Sequence, residues 1–158
     1  GRTMVRLTDL PDYERQHLLD KCQPPLGPPA WVANSKPLNE KRIALVTTAG
    51  LHFRGDDAFE FADASYRVIP GDVDADDLVM SHSSANFDRS GFQEDVNLVF
   101  PLSRFRELEE QGAIASLASA HYSFMGAGLP PEFYEKTARS LAGMLKKDRI
   151  DAVFLTPV

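Results

Sequence analysis

Residues 41–50, KRIALVTTAG, decide the fold class. The run is short, apolar and β-branched, and Gly50 ends it, the pattern of a strand buried on both faces rather than of a helix. Two more short strands are expected in SYRVIP at 65–70 and DLVMSH at 77–82, separated by the acidic turn GDVDADD. VNLVF at 96–100 is ambiguous, but Pro101 suits the first turn of a helix over about 101–111 that carries Leu102, Phe105, Arg106 and Leu108 and stops at Gly112. From Pro130 onward Phe133, Ala138, Leu141, Ala142 and Leu145 recur at helical spacing, with Lys146, Lys147 and Arg149 suiting the negative end of the helix dipole. DAVFLTPV at 151–158 then reads as a closing apolar strand. Strand, helix, helix, strand in that order implies crossover connections. The expected fold is α/β: a three-layer open sheet, mainly parallel, flavodoxin-like or Rossmann-like.

Ahead of this domain, Leu7, Leu10, Leu18 and Leu19 predict a short amphipathic helix within 7–21, with Asp9 or Asp12 as N-cap and Pro11 in the first turn. The segment CQPPLGPPAWVANSKP that follows carries five prolines, which favour an extended arm, with Trp31 as its anchor. The chain is thus divided into an N-terminal helix and proline-rich arm at 1–40 and an α/β domain at 41–158.

A chain of 158 residues, 43% hydrophobic and 25% charged, matches one ordinary globular domain. Its apolar runs are far shorter than the roughly 20 residues that span a bilayer, and the opening GRTMVRLTDL has no apolar core for a signal peptide. A cytoplasmic protein without membrane contact is expected. The net charge of −6 opposes nucleic acid as a partner, which calls for clustered Lys and Arg. A single cysteine, Cys22, rules out an internal disulfide and paired-thiol redox chemistry within these residues. No Walker A or Rossmann glycine fingerprint is present, so no cofactor is expected.

Three polar segments can carry chemistry. LVTTAGLHFRGD at 45–56 sets Thr47, Thr48, His52, Arg54 and Asp56 just past a core strand, the edge where ligands bind in open α/β sheets. These groups suit an anionic or zwitterionic small molecule, with the planar fork of Arg54 clamping a carboxylate; the alternative is a turn in which Arg54 pairs with Asp56 or Asp57. SHSSANFDRSGFQEDVN at 81–97 offers His82 and Asn86 as either a binding loop or a solvated connection. HYSFMG at 121–126 adds His121, either a third site member or a structural histidine in a half-buried loop. The three histidines lack the close spacing of a zinc site, and no metal is expected.

The ordered segments LVTTAGLHFRGD, SYRVIPGD, SHSSANFDRSGFQEDVNLVFPLSRFREL, HYSFMGAG and DAVFLTPV resemble the short bacterial members of the selenoprotein B family of glycine, sarcosine, betaine and D-proline reductases, over about 41–158. The resemblance implies an oxidoreductase, selenol- or thiol-dependent when intact. In it, a strand like FLTPV leads into selenocysteine or cysteine, proline, any residue and cysteine, so the redox residue is expected to follow Val158, and the α/β domain to be truncated there at an unread selenocysteine codon. It also implies a small amino-acid-like or other electrophilic substrate, whose aminated carbon a selenolate attacks, and a thioredoxin-like or other thiol reductant as partner. A fragment without that residue is expected to be inactive; the alternative is a noncatalytic small-ligand-binding α/β domain. An exposed final strand would also invite a homodimer.

Overall fold

The computed structural model describes residues 6–20, 27–28, 32–84, 87 and 89–158. Cys22, Trp31 and Asn86, and with them half of the proline-rich arm, lie outside the described residues. Two compact units are distinguished, Gly1–Ala33 and Asn34–Val158. In the first, helix α1 spans Asp12–Asp20, later than its leucines suggest, because Leu7–Asp9 form a separate 3-10 turn. The carbonyl of Pro11 accepts the amide of Arg15 to open α1, and no residue of the helix is buried.

The second unit is built on β1, Arg42–Thr47. One side of β1 pairs in parallel with β7, Ala152–Thr156, in register from Ile43 against Ala152 to Thr47 against Thr156. Its other side pairs in parallel first with β5, Ser116–Leu117, and then with β6, Ala120–Phe124. Strand β3, Tyr66–Pro70, closes that side and runs antiparallel to β6. A separate two-stranded antiparallel sheet joins β2, Leu51–Phe53, to β4, Leu78–Met80. The fold is therefore mixed α/β, with a mainly parallel sheet, a small antiparallel one and, among the described residues, four α-helices.

Alternation along β1 divides the core. Leu45 points into a cluster with Ala49, Leu51, Ile69, Val99, Phe100 and Leu102, against which Phe105 packs. Val46 points the other way, to Tyr122, Phe124 and Leu141, joined by Met144 and Leu145. The first cluster draws on α3, Leu102–Glu110, and the second on α4, Glu135–Lys147, so each helix lies against one face of β1 through its apolar stripe. The stripe of α4 differs from the expected one. Phe133, Ala138 and Ala142 are exposed, because Pro131–Tyr134 is a 3-10 turn and the buried line starts at Tyr134 and continues through Leu141, Met144 and Leu145. Helix α3 follows the expectation closely, with Gly112 at φ +69° just past its end.

Two elements run against the reading of their sequence. HYSFMG belongs mostly to β6, an interior strand, and not to a half-buried loop. Its polar His121 and Ser123 are tolerated at full burial because each is hydrogen-bonded to a backbone amide. Within the polar stretch 81–97, Ser90–Glu94 form a short helix α2, and VNLVF opens on a 3-10 turn at Val96–Leu98 whose N-cap Asp95 accepts from the amide of Asn97.

Candidate functional site

The carboxyl end of β1 is where segments distant in sequence converge. Beyond Thr47 the chain leaves the sheet through Thr48, Ala49 and Gly50. The amide of Thr48 donates to the carbonyl of Thr156 on β7, and that of Gly50 donates to Phe124 at the end of β6. The amide of Ser81, just past β4, donates to the Gly50 carbonyl at 2.9 Å, so the segments that begin at Thr47 and at Ser81 adjoin. Gly50 has φ +66°, and a β-carbon there would stand 3.0 Å from the His82 amide nitrogen; only glycine permits this crossing without displacing backbone. Gly126, φ +76°, fits more tightly still, for a β-carbon would lie 2.5 Å from Cβ of Thr48. Its neighbour Met125 is buried, and its sulfur accepts the Ser83 hydroxyl at 3.2 Å. Finally Thr48 Oγ1 accepts the amide of Val158 at 2.9 Å, holding the chain beyond β7 against the same edge.

The candidate residues divide by what their polar atoms already do. Thr47 is fully buried; its hydroxyl donates to the Val99 carbonyl at 2.7 Å and accepts the Ala49 amide, which leaves it a structural tie between β1 and the segment before α3. Thr48 is half-buried and holds Val158. His52 is buried on β2, with Nδ1 at 2.7 Å from the Phe53 carbonyl and Nε2 at 2.6 Å from Ser81 Oγ. A carbonyl only accepts, so Nδ1 carries the proton and Nε2 accepts from the serine hydroxyl. The result is a hydroxyl–imidazole pair oriented by a backbone carbonyl. Ser81 was not singled out from the sequence, since nothing in a serine 29 positions from a histidine marks the contact.

His82 and His121 share a different arrangement. Nδ1 of His82 accepts the Ser84 amide at 3.2 Å, and Nδ1 of His121 accepts the Leu45 amide at 3.1 Å. Each ring is thereby fixed with its proton on Nε2, and both Nε2 atoms are buried without a partner among the described residues. Burial favours the neutral ring in each case. It lowers the pKa of His82, helped by Arg89, and it depresses that of His121 to about 4, helped by Arg106 and Arg42. Arg89 also donates to the His82 carbonyl, bracing this turn. His121 is set back from the edge: it lies beside Leu45, under the ring of Phe100, two residues before the level of Thr47.

Arg54 and Asp56 are exposed, beyond the far end of β2. The Arg54 amide donates to the Asp77 carbonyl, and its guanidinium reaches the Asp76 carbonyl at 3.5 Å; no ion pair with Asp56 or Asp57 forms. Arg54 shares a shallow concavity with Asp76, Glu94 and Asp95, an acidic setting. Thr48, three residues before β2, holds Val158, whereas Arg54, just past β2, has its hydrogen bonds to Asp76 and Asp77. Among the described residues no group of three His, Cys, Asp or Glu side chains is gathered to hold a metal, and no helix is long and apolar enough to cross a membrane.

Comparison with known proteins places this geometry in a family. The family model for glycine/sarcosine/betaine reductase selenoprotein B matches residues 29–158, which include every strand of both sheets. The chain belongs to that selenoprotein B family. It is 40% identical over 131 residues to the D-proline reductase subunit gamma of Acetoanaerobium sticklandii, a match covering 82% of this chain and 53% of that protein. It is 35% identical over 126 residues to the glycine reductase complex component B subunit gamma of Symbiobacterium thermophilum, covering 77% of this chain and 29% of the other. With the sarcosine reductase complex component B subunit beta of Peptoclostridium acidaminophilum it shares 31% over 127 residues, covering 77% and 29%. The matched chain thus spans about half of one selenoprotein B relative and under a third of the others. No solved structure matches it.

Proposed function

We propose that this chain forms the substrate-side α/β portion of a selenol- or thiol-dependent reductase subunit that acts, within a multi-subunit complex, on a small amino-acid-like substrate. The observation that carries the reading is the bond from the Val158 amide to Thr48 Oγ1, taken together with membership of the selenoprotein B family. It seats the backbone after β7 at the carboxyl edge of β1, beside the turns that hold Ser81, His82 and Gly126. A redox residue following Val158, as the resemblance implies, would start from this edge, which is where open α/β sheets of the flavodoxin-like or Rossmann-like kind bind ligands.

The residues around it suit distinct tasks. Nε2–H of His82 is a buried neutral donor with no partner among the described residues, and opening of the turn at Ser81–Ser84 would let it take up a carboxylate or a developing anion without adding net charge. The Ser81 hydroxyl, donating to the unprotonated Nε2 of the neutral His52 ring, can take a proton from a substrate group while passing its own to that imidazole, so the pair suits a general base. Thr47 and His121 support these groups from the core, and Arg54 and Asp56 serve the surface beyond β2. The nucleophile is not among these residues. A selenolate is ionised at neutral pH where a thiol with pKa near 8.5 mostly is not, which is the reason for placing selenium there.

The test is an assay of dithiol-dependent reduction of D-proline, glycine, sarcosine and betaine by the 158-residue chain beside a version extended through its reading frame with cysteine or selenocysteine restored. Turnover by the extended protein alone is expected. Equal turnover by both would place the chemistry in the residues already here and overturn the proposal. A ligand that raises Tm of both proteins while neither turns over would favour the noncatalytic binding domain.

A further inference from the structure

The two outer strands of the larger sheet are finished differently. Strand β3 carries Arg67, which donates to the carbonyls of Asp57 and Ala58 and pairs with Asp63, and it ends on Pro70. A charge and a proline are the usual protection of a sheet edge. Strand β7, Ala-Val-Phe-Leu-Thr, has neither. Among the described residues it pairs only with β1, and Val153, Phe154 and Leu155 are 37%, 43% and 67% exposed. The register sets Val153 and Leu155 beside Ala44 and Val46 on the α4 face, and Phe154 beside Leu45 on the α3 face, where it meets Phe105 at 4.9 Å between ring centres. Both faces of the strand are therefore apolar. That is the composition of a strand inside a parallel sheet, covered on each side, and not of an outer one. Asp151, just before the strand, is bound to Lys36 and to the Arg42 amide, so its charge is held at the start of the edge and not at its middle.

We propose that the open side of β7 is a docking edge, filled by an apolar, uncharged β-strand from the part of the longer polypeptide that the selenoprotein B relatives possess outside the matched segment. Those relatives fix the choice of occupant. The D-proline reductase subunit has about as much chain again outside its match, and that chain needs a surface on which to fold. A sheet already parallel at β1, β5, β6 and β7 receives its next strand through a crossover, which delivers it parallel to β7 and covers one face with the connecting segment. A second copy of this chain, paired through a two-fold axis, would bring β7 antiparallel to its twin and leave no such cover.

The inference rests on family membership and on the exposed strand, not on the reductase reading. Its test compares the protein made from its full natural reading frame, with cysteine at any selenocysteine codon, with the 158-residue chain. Backbone hydrogen exchange across 152–156 is expected to be at least about tenfold slower in the full-length protein, as pairing protects strand amides. In that protein Leu155→Glu should lower Tm by several degrees and restore fast exchange. Equal exchange in the two proteins would overturn the proposal, as would a Leu155→Glu full-length protein with unchanged Tm. So would a 158-residue dimer that Leu155→Glu dissociates, which would assign the edge to a second copy, or a reading frame that encodes nothing outside these residues. Protection of β7 without turnover would leave this inference standing and sink the reductase proposal alone.

Discussion

Thr47 and Arg54 belong to one polar run, seven positions apart, and the molecule treats them in opposite ways. Thr47 lies at the carboxyl end of β1 with no exposed surface, its hydroxyl engaged as donor and acceptor at once. Arg54 stands past the end of β2 in solvent, with one long contact to a carbonyl. The difference shows that a polar residue near a sheet edge is placed by what the backbone around it requires. Where several strands end together, amides and carbonyls left without a ladder partner recruit side chains: Val99 and Ala49 recruit Thr47, Leu51 recruits Ser123, Leu45 recruits His121 and Ser84 recruits His82. What these ties leave over is chiefly Nε2–H of His82, which is buried and has no partner among the described residues.

The contrast is tested most severely at Gly126. Alanine there must place its β-carbon 2.5 Å from Cβ of Thr48 in a left-handed backbone, so strain and overpacking add. Gly126→Ala is expected to cost about 3 kcal/mol, from overpacking of about 1–3 kcal/mol plus the backbone term. Chemical denaturation measures it. A cost under about 0.5 kcal/mol would mean that the carboxyl end of β1 is as loosely held as the region past β2.

Acid should separate the two regions next. His121 is neutral in the fold, with its pKa lowered from 6.5 to about 4, whereas the unfolded chain takes up the proton near 6.5. Its contribution is therefore complete above pH 6.5 and is lost as pH falls from 6.5 to 4, levelling off below. The shift corresponds to about 3 kcal/mol, and His82 acts in the same direction. Asp63, Asp95 and Asp151, whose pKa values lie below the ordinary 3.8, lose their contributions only in more acid solution, so the window above pH 4.5 reports on histidine. Stability measured at pH 7 and pH 4.5 should differ clearly in the native protein and much less in His121→Gln. An equal slope in both would show that His121 is not the group responsible.

Legibility in the sequence followed the same physics. β1, β3, β4, α3 and β7 were readable because each buries apolar residues in the period of its own element, or ends at a glycine or proline that acts locally. β6 was not, because His121 and Ser123 occupy interior positions only by virtue of partners at Leu45 and Leu51, more than 70 residues away. The Ser81–His52 bond depends on the antiparallel pairing of β2 with β4, and no local signal announces β2.

Thr47→Val tests the interior side at smaller scale. The methyl replaces a hydroxyl of nearly equal size, leaving the Val99 carbonyl and the Ala49 amide unpaired, for a cost of about 1–3 kcal/mol. The smallest effect is expected on the other side. Arg54→Ala removes an exposed guanidinium whose one side-chain hydrogen bond among the described residues is 3.5 Å long, and it should shift stability by no more than about 0.5 kcal/mol. Its backbone amide, bonded to Asp77, is untouched by the change and keeps the end of β2 in place. The variant also speaks to function, because the neighbouring Asp76, Glu94 and Asp95 already set an acidic field around this position that disfavours a substrate carboxylate. Where the extended protein turns over D-proline, its KM should stay within about twofold of the parent. A rise in KM of about tenfold, worth some 1.4 kcal/mol of binding, with Tm unchanged, would mean that the loop beyond β2 folds back over the edge when substrate binds, and that Arg54 belongs with Thr48 and His82 after all.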